Sequence, residues 1–396
     1  MRILMVVSPF HPDRAGGASV FTDLASGLTE RGHEVTVWCP HPYYPEWRDK
    51  SGWNAWHVAH DELGDVRIER HWLWIPSDPT SVVQRLLFEA SFLLSIFRRG
   101  GWRRFDVVVP FVPLIGGALA AGLRCKMARV PVLMNVQDLP AEAAEAGGIA
   151  KGKVSSVLRF AQRITLSLAD RIVTISPVMA DRLALYGLKQ PPVVVPNWLN
   201  ATAAEAVNRV RPHDRVDNGS VRLLYAGNLG QKQGLGELVR RLAQTGHAFT
   251  FEIFGEGSAR TKLERLLETL GDDRFSLGPF MTEEEFVRVS AACDWFVIPE
   301  RDNRGASFLP SKLVPVISTG TPIMAITSRQ SPLGVEVSEH DLGLVLDWDD
   351  LADQFREALP RHRTFVPACR RRARRYHRTT CIDELEGILE TLCEGP

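Results

Sequence analysis

The sequence predicts an α/β protein whose parallel sheets are divided between two domains. Short apolar segments alternate with helix-like segments along most of the chain, which is typical of parallel sheets covered by helices. With 396 residues, the chain is too long for one ordinary hydrophobic core. Loops with phosphate-binding features follow strand-like segments in both halves, which indicates a ligand held between two domains.

The first half begins with a buried strand and continues as strand–helix units. Its predicted strands are residues 2–7, 35–39, 106–111, 132–135, 171–175 and 193–195. Predicted helices cover residues 19–31 and 153–169. Ser176 followed by Pro177 predicts the N-cap and the first residue of a further helix.

A second strand–helix series follows residues 200–219, a polar segment without periodicity that we interpret as the domain linker or an exposed loop beside it. The predicted strands are residues 221–226, 249–254, 274–277, 295–299, 322–326 and 343–346, and the predicted helices are residues 233–245, 258–270, 283–292 and 310–319. The expected domains are therefore residues 1–199 and 220–375. The C-terminal residues 376–396 contain a helix that is a candidate to pack back on the first domain.

Composition narrows the class of protein. The 47 basic and 47 acidic residues balance, which gives no support for a nucleic-acid binder. The six cysteines show no spacing typical of a zinc site or a disulfide framework. The first apolar run is too short for a signal peptide. We therefore expect a protein of the reducing cytosol.

One segment, Val82–Phe97, is apolar on nearly every side and is too short to span a bilayer. Trp72 and Trp74 precede it, and Arg98 and Arg99 follow it. Tryptophan and arginine beside an apolar helix are typical of a membrane interface. A helix buried on one face of a sheet would have the same apolar composition, so the sequence fits both interpretations.

Two loops of the second half carry a lysine beside glycine or hydroxyl residues. Lys232 lies in a glycine-containing loop between a predicted strand and a predicted helix, where it can neutralise a diphosphate while backbone N–H groups bind oxygens. Ser307, Ser311 and Lys312 form a similar loop before Leu313, where a helix is expected. An exposed lysine in an ordinary loop is the alternative for Lys232.

Two glycine pairs give weaker signals. Gly16 and Gly17 follow the first strand and would let the backbone approach a ligand, although they do not match the dinucleotide-binding fingerprint. Gly255 and Gly257 flank Glu256, which either contacts a ligand or belongs to a tight turn.

Asp138 lies just past a strand of the first half, where a carboxylate would face the cleft of a doubly wound sheet. It is a candidate base or a group that orients an acceptor hydroxyl, with helix N-capping as the alternative. The segment Asp347-Trp348-Asp349-Asp350 is interpreted as the start of a helix, so no metal site is expected.

These segments, taken in order, resemble the GT-B glycosyltransferases, and within them the large retaining group called family four, of the colanic-acid and O-antigen type. The resemblance runs nearly from end to end; no single segment is specific, but their order and spacing are. The segments are residues 16–17, 31–37, 136–138, 169–176, 227–229, 232–234, 254–257, 310–312 and 319–322.

The resemblance implies two Rossmann-like, doubly wound parallel-sheet domains that face a cleft, with a nucleotide-sugar donor mainly on the second domain and an acceptor on the first. The implied catalytic residues are Asp138, Lys232 and Glu300. The implied donor-binding residues are Gly16, Gly17, Asn228, Lys232, Gly255, Glu256, Phe280, Met281, Ser307, Ser311, Lys312 and Leu313. Phe280 and Met281 stand where the base packs in the family.

The resemblance implies a metal-independent, retaining hexosyl-type glycosyltransferase that uses no cofactor. It would move a sugar from a nucleoside diphosphate to a saccharide or a polyprenyl-linked saccharide, in the cytoplasm, with peripheral contact to the inner membrane as a further expectation. Two alternatives are a nucleotide-sugar epimerase of the same fold and a non-catalytic sugar-nucleotide-binding partner of another transferase. Phe308, which stands where many members carry a second glutamate, is the argument for the latter.

Overall fold

The computed structural model describes residues 1–13, 17–44, 46–50, 58–79, 81–142, 153–210, 220–301 and 309–394. The chain forms two compact units. Unit 1 comprises Met1–Asn197 and Arg378–Pro396, and unit 2 comprises Trp198–His377. Three residues singled out above lie outside the described residues: the expected donor-binding residues Gly16 and Ser307, and Phe308.

Unit 1 is built on an eight-stranded sheet. Its strands are β1 (Arg2–Val6), β2 (Glu34–Pro40), β3 (Ala59–Leu63), β4 (Val66–His71), β5 (Val107–Val112), β6 (Leu133–Val136), β7 (Arg171–Thr174) and β8 (Val193–Val194). The strand order is β3-β4-β2-β1-β5-β6-β7-β8. β3 pairs antiparallel with β4, and the other described neighbours are parallel, as the strand–helix alternation predicts.

The described helices in the first part of unit 1 are α1 (Ala18–Glu30), α2 (Val82–Phe97), α3 (Ile115–Ala128), α4 (Lys153–Ser167) and α5 (Pro177–Ala184). The start of α5 confirms its predicted cap, because the Ser176 side chain accepts a hydrogen bond from Met179 N–H and Pro177 occupies the first turn.

The hairpin of β3 and β4 has no counterpart among the predicted elements. Its edge strand reads Ala-His-Asp-Glu-Leu, so it lacks the apolar run of a central strand. β4 buries Glu69 because that carboxylate forms ion pairs with Arg99 at 2.6 Å and Arg104 at 2.9 Å. The sequence of β3 and β4 therefore contains charged residues in place of the apolar run that would predict a strand.

Unit 2 is built on a six-stranded, fully parallel sheet. Its strands are β9 (Val221–Ala226), β10 (Phe249–Phe254), β11 (Phe275–Gly278), β12 (Trp295–Pro299), β13 (Ile323–Ile326) and β14 (Gly343–Leu346), in the order β11-β10-β9-β12-β13-β14. Its described helices are α6 (Ala201–Arg209), α7 (Leu235–Ala243), α8 (Arg260–Leu270), α9 (Glu283–Ala292), α10 (Leu313–Ser318), α11 (Pro332–Glu339), α12 (Leu351–Ala358) and α13 (His362–Ala373).

Helix α6 corrects the expected structure of residues 200–219. Asn200 caps this helix, since its side-chain oxygen accepts a hydrogen bond from Ala203 N–H at 2.9 Å. The buried face of α6 consists of the small residues Ala203 and Ala206. Two alanines give only a weak apolar periodicity, so the sequence of this segment does not predict a helix.

The last helix, α14 (Arg378–Glu394), packs on α1 within unit 1. Arg378 Nε lies 2.9 Å from an Asp23 carboxylate oxygen, and its Nη1 lies 2.8 Å from Glu30. Gly27 lets the two helices approach, because a Cβ at this position would lie 2.4 Å from Ile382 Cδ1.

Helices α2 and α3 approach to backbone contact at Gly116, where a Cβ would lie 2.1 Å from the Glu89 carbonyl oxygen. We expect Gly116→Ala to lower the free energy of unfolding by about 1–3 kcal/mol, the usual cost of overpacking. The matched control is Gly387→Ala, an exposed helical glycine with open space around its Cβ position, which should gain about 0.5–1 kcal/mol. Urea denaturation measures both. Equal stability of the two variants would contradict the proposed contact.

Candidate functional site

Two glycine-containing loops meet at the carboxyl edge of the unit 2 sheet. One follows β9 from Gly227, and the other follows β10 at Gly255. Because β9 and β10 are neighbours, their loops run side by side, and Leu229 N–H donates to the Glu256 carbonyl at 2.8 Å. Gly227 N–H donates to the Phe254 carbonyl at 3.0 Å. The loops are thus joined by backbone hydrogen bonds.

The glycines of the second loop are required by this contact. Gly255 has φ +144°, and a Cβ there would lie 1.8 Å from the Gly227 carbonyl oxygen. Gly257 has φ +153°, with a Cβ position 2.6 Å from Asn228 Oδ1. Loop packing therefore explains both glycines. Glu256 points outward, with its carboxylate 3.3 Å from the Arg260 guanidinium.

Lys232 lies on the first loop within a short 3-10 turn, and Gly234, with φ +64°, leads into α7. The carbonyl of Lys232 accepts a hydrogen bond from Arg301 N–H at 2.8 Å. Its ammonium group is exposed and has no carboxylate partner among the residues that the structure describes. Lys232 is therefore a positive charge held at a fixed backbone position.

Glu300 lies beside this loop along the backbone, because the next residue, Arg301, donates its N–H to the Lys232 carbonyl. Its carboxylate accepts a hydrogen bond from Thr327 Oγ1 at 2.9 Å, at the end of β13. Its carbonyl accepts one from Trp348 Nε1 at 3.1 Å. Burial raises the pKa of the Glu300 carboxyl group, and the Thr327 hydroxyl partly offsets that effect. The structure thus brings the backbone segments of two predicted site residues, Lys232 and Glu300, together at one sheet edge.

Lys312 points toward helix α9 rather than into open solvent. Its ammonium lies 4.5 Å from the centre of the Phe286 ring. Burial lowers the pKa of Lys312, and the carboxylate of Glu283 opposes this effect. Ser311 beside it is exposed, whereas Leu313 is fully buried and donates its N–H to the Pro310 carbonyl at 2.9 Å. Leu313 therefore serves the core in this arrangement.

Phe280 and Met281 follow β11 and precede α9. The Phe280 side chain is 66% exposed, so its ring is available for stacking. Met281 is partly buried against the core. Thr282 forms a capping box with Glu285, which fixes the start of α9 directly after the two residues.

In unit 1, Gly17 has a packing explanation. It is the N-cap of α1, and a Cβ on it would lie 2.3 Å from the ring of Phe21. Phe21 in turn packs on Phe111 of β5, with ring centres 4.7 Å apart. Close packing of α1 on the sheet is sufficient to require this glycine.

Asp138 lies after β6, as the sequence predicts for a carboxylate at a strand end. One of its oxygens accepts a hydrogen bond from Leu139 N–H at 2.7 Å. Burial raises the pKa of Asp138, and the nearby carboxylate of Glu142 adds to this effect. The preceding Gln137 donates to Asn135 at 2.6 Å and accepts from Asn197 at 2.8 Å, which fixes the backbone leading to Asp138.

Glu89 is a chemically unusual residue that the sequence did not single out. Its carboxylate accepts a hydrogen bond from Gly116 N–H at 2.7 Å, in the first turn of α3. Burial raises the pKa of Glu89 to about 7, while the Gly116 N–H and the Arg85 guanidinium act in the opposite direction. The available signal was a carboxylate inside the apolar segment Val82–Phe97.

The described residues contain no cluster of three or more His, Cys, Asp or Glu side chains that could hold a metal ion. Helix α12 begins at Leu351, directly after the segment Asp347–Asp350, as the sequence predicts.

Comparison with known proteins adds to this geometry. Residues 15–198 match the model of the glycosyl transferase 4-like domain. The chain is 27% identical over 350 residues to WcaI of Escherichia coli K12, named as a glycosyl transferase of colanic acid biosynthesis; the match covers 84% of this chain and 85% of WcaI. The chain is therefore similar to glycosyltransferases of the family-four type, with the family model matching its first half.

Solved structures show that this chain has the GT-B fold. A sucrose-phosphate synthase of Thermosynechococcus elongatus matches with a TM-score of 0.68 at 15% identity, covering 100% of both chains. HepE of Anabaena, solved in complex with UDP, matches with a TM-score of 0.67 at 15% identity, covering 98% of this chain and 100% of HepE. These matches confirm the predicted fold class of two parallel-sheet domains.

The raised pKa of Glu89 predicts a pH-dependent stability. As pH rises from the ordinary value of 4.5 toward about 7, the unfolded chain releases this proton while the folded chain retains it. The wild-type protein should therefore lose stability over this window relative to Glu89→Gln, whose amide oxygen can still accept from Gly116 N–H. Denaturant unfolding of both proteins at several pH values measures the difference. A difference independent of pH would contradict the buried carboxyl group, and the exposed Glu390→Gln serves as control.

Proposed function

We propose that the protein transfers a sugar from a nucleoside-diphosphate sugar to a saccharide or polyprenyl-linked saccharide, with retention of configuration and without a metal ion. The observation that carries this proposal is the joined strand-end loops of unit 2. They bring the loop that carries the exposed Lys232 beside the strand end that carries Glu300, through the Arg301 N–H bond to the Lys232 carbonyl at 2.8 Å. A diphosphate and its sugar need these two kinds of group side by side.

Lys232 would stabilise the leaving group. When the bond between the anomeric carbon and the diphosphate oxygen breaks, negative charge grows on the diphosphate and positive charge grows on the sugar. A cation that is already in position lowers the energy of that charge distribution without reorganising. In this proposal Lys232 supplies the positive charge that a divalent cation supplies in metal-dependent transferases.

Glu300 would bind the transferred sugar. Its carboxyl group is oriented by Thr327 and retains oxygen lone pairs for sugar hydroxyl donors. Phe280 would stack on the base through its exposed ring. On the acceptor side, we assign Asp138 to orient the attacking hydroxyl and take its proton, because its raised pKa makes it a better base than an ordinary carboxylate.

Two of the similar proteins suggest which acceptor and donor substrates to test first. WcaI is named for colanic acid biosynthesis, which supports a saccharide acceptor. The HepE structure contains UDP, which makes uridine-diphosphate sugars the first donors to test. The cytoplasm is where we expect these substrates to be used.

We expect Lys232→Ala to lower turnover by a factor of roughly 100 or more, the scale of losing one preorganised contact to developing charge. Because Lys232 is exposed, the variant should keep the stability of the wild-type protein. Lys262→Ala removes an equally exposed lysine from α8 and should leave turnover unchanged. Radiolabelled sugar transfer to a panel of acceptors measures turnover, and wild-type turnover in Lys232→Ala would refute its assigned role.

Product analysis separates the transferase from the alternatives. A transferase gives a glycosylated acceptor whose new linkage has the anomeric configuration of the donor. An epimerase would convert the donor without any acceptor, and a non-catalytic partner would bind nucleotide sugar without consuming it. Retained activity after treatment with a chelator is expected, whereas loss of activity that added divalent metal restores would contradict metal independence.

A further inference from the structure

Three neighbouring helices of unit 1 expose large apolar side chains. Helix α3 packs against both α2 and α4. Among the described residues, nine of the twelve exposed large apolar side chains belong to these three helices: Val83, Leu86, Leu87 and Leu94 on α2, Leu123 and Met127 on α3, and Val157, Phe160 and Ile164 on α4. We call this set the apolar face.

The apolar face is not needed for folding, because the opposite sides of the same helices already build the core. In α2, Phe88, Phe92 and Ile96 are buried. On the outward side, Val83 is 67% exposed and Phe160 of α4 is 65% exposed. One side of α2 is thus buried in the core, as the second interpretation of its sequence requires. The other side presents apolar side chains to solvent. Grouped exposure of this kind marks an interaction surface.

The apolar face is interleaved with positive charge. The basic residues of the three helices are Arg85, Arg124, Lys126, Lys153, Arg159 and Arg163. The described acidic residue of the same helices is Glu89, and its carboxylate is directed at Gly116 N–H rather than outward. The whole chain balances 47 basic against 47 acidic residues, so this face is cationic by local segregation.

Apolar and basic side chains together fit the boundary of an anionic bilayer. Leucine and phenylalanine enter the region between headgroups and acyl chains, while arginine and lysine extend to lipid phosphates. A second copy of the chain is a poorer occupant, because a two-fold contact would bring the same basic residues against each other. In the part of the chain that the structure describes, no helix is long and apolar enough to cross a membrane.

We propose that α2, α3 and α4 dock the protein on the surface of a bilayer that contains anionic phospholipids. The apolar face enters the headgroup boundary, and Arg85, Lys126 and Arg163 contact lipid phosphates. This docking does not depend on the identity of the donor. It would place unit 1, where we assign the acceptor contacts, at the surface that carries polyprenyl-linked saccharides, and in that respect it rests on the proposed function.

The first test is co-sedimentation of the full chain with vesicles of phosphatidylcholine alone or with one third phosphatidylglycerol. We expect binding to the anionic vesicles that weakens as salt is added, since the charge contribution is screened. The double variant Leu86→Gln with Phe160→Gln should bind at least about 10-fold more weakly, because two apolar side chains no longer enter the boundary. The control Leu270→Gln changes an exposed leucine of unit 2 and should bind as the wild type does.

A second pair of variants tests the charge. Lys126→Gln with Arg163→Gln should reduce binding to anionic vesicles roughly 10-fold. Arg240→Gln with Arg265→Gln removes two exposed arginines of unit 2 and should have no effect. Donor turnover with a water-soluble acceptor should be unchanged in all of these variants, so failure of docking and failure of the transferase proposal are separate results.

Three outcomes would overturn the docking proposal. The wild-type protein could stay in the supernatant with anionic vesicles. The Leu270→Gln control could lose as much binding as the double variant. Sedimentation velocity could show a wild-type dimer that Leu86→Gln with Phe160→Gln dissociates, which would assign the apolar face to a second copy of the chain.

Discussion

The close approach of two strand-end loops is the constraint on which the candidate donor site depends. Gly255 lies so near the Gly227 carbonyl that no side chain fits, and its φ of +144° is one that other residues rarely adopt. This contact fixes the loop that carries Lys232. The Arg301 N–H bond to the Lys232 carbonyl then fixes Glu300 beside it. Backbone interactions therefore bring the two residues to the same edge of the sheet.

Three buried carboxyl groups, those of Glu69, Glu89 and Glu300, differ in their hydrogen-bond partners. Glu69 is buried with two arginine partners, whereas Glu89 has a helix N-terminus and Glu300 has a hydroxyl as its hydrogen-bond donor. A paired carboxylate stays ionised, and the pKa of Glu69 is lowered despite its burial. Burial raises the pKa of Glu89 and Glu300, whose partners carry less charge. The partner thus decides whether the pKa of a buried carboxyl group is lowered or raised.

The sequence predicts the sheets of unit 2 well and its connections less well. The bounds of β9, β10, β12 and β14 match the predicted ranges, because parallel strands that are largely buried appear in the sequence as short, mainly apolar runs. The polar hairpin β3–β4 could not be recognised, since the two arginine partners of its buried Glu69 lie 30 or more positions away.

The candidate site also combines features that a local sequence pattern predicts with contacts that only the fold creates. A glycine loop with a lysine is a local pattern, and the sequence identifies Lys232 on that basis. The bond from Arg301 to Lys232 and the bond from Gly116 to Glu89 join distant segments, so no local pattern reveals them. Packing also gives Gly17, Gly255 and Leu313 explanations that a sequence alone does not separate from ligand binding.

The most direct measurement of the central claim is the thermal stability of the whole chain with UDP, GDP, TDP, ADP or CMP, with and without a chelator. The account predicts selective stabilisation by one nucleotide, unaffected by the chelator. At about 100 times its dissociation constant, a ligand stabilises the folded state by roughly 2.7 kcal/mol, which is readily measured. Absence of any shift would contradict a donor site on unit 2, and a shift that the chelator abolishes would contradict metal independence.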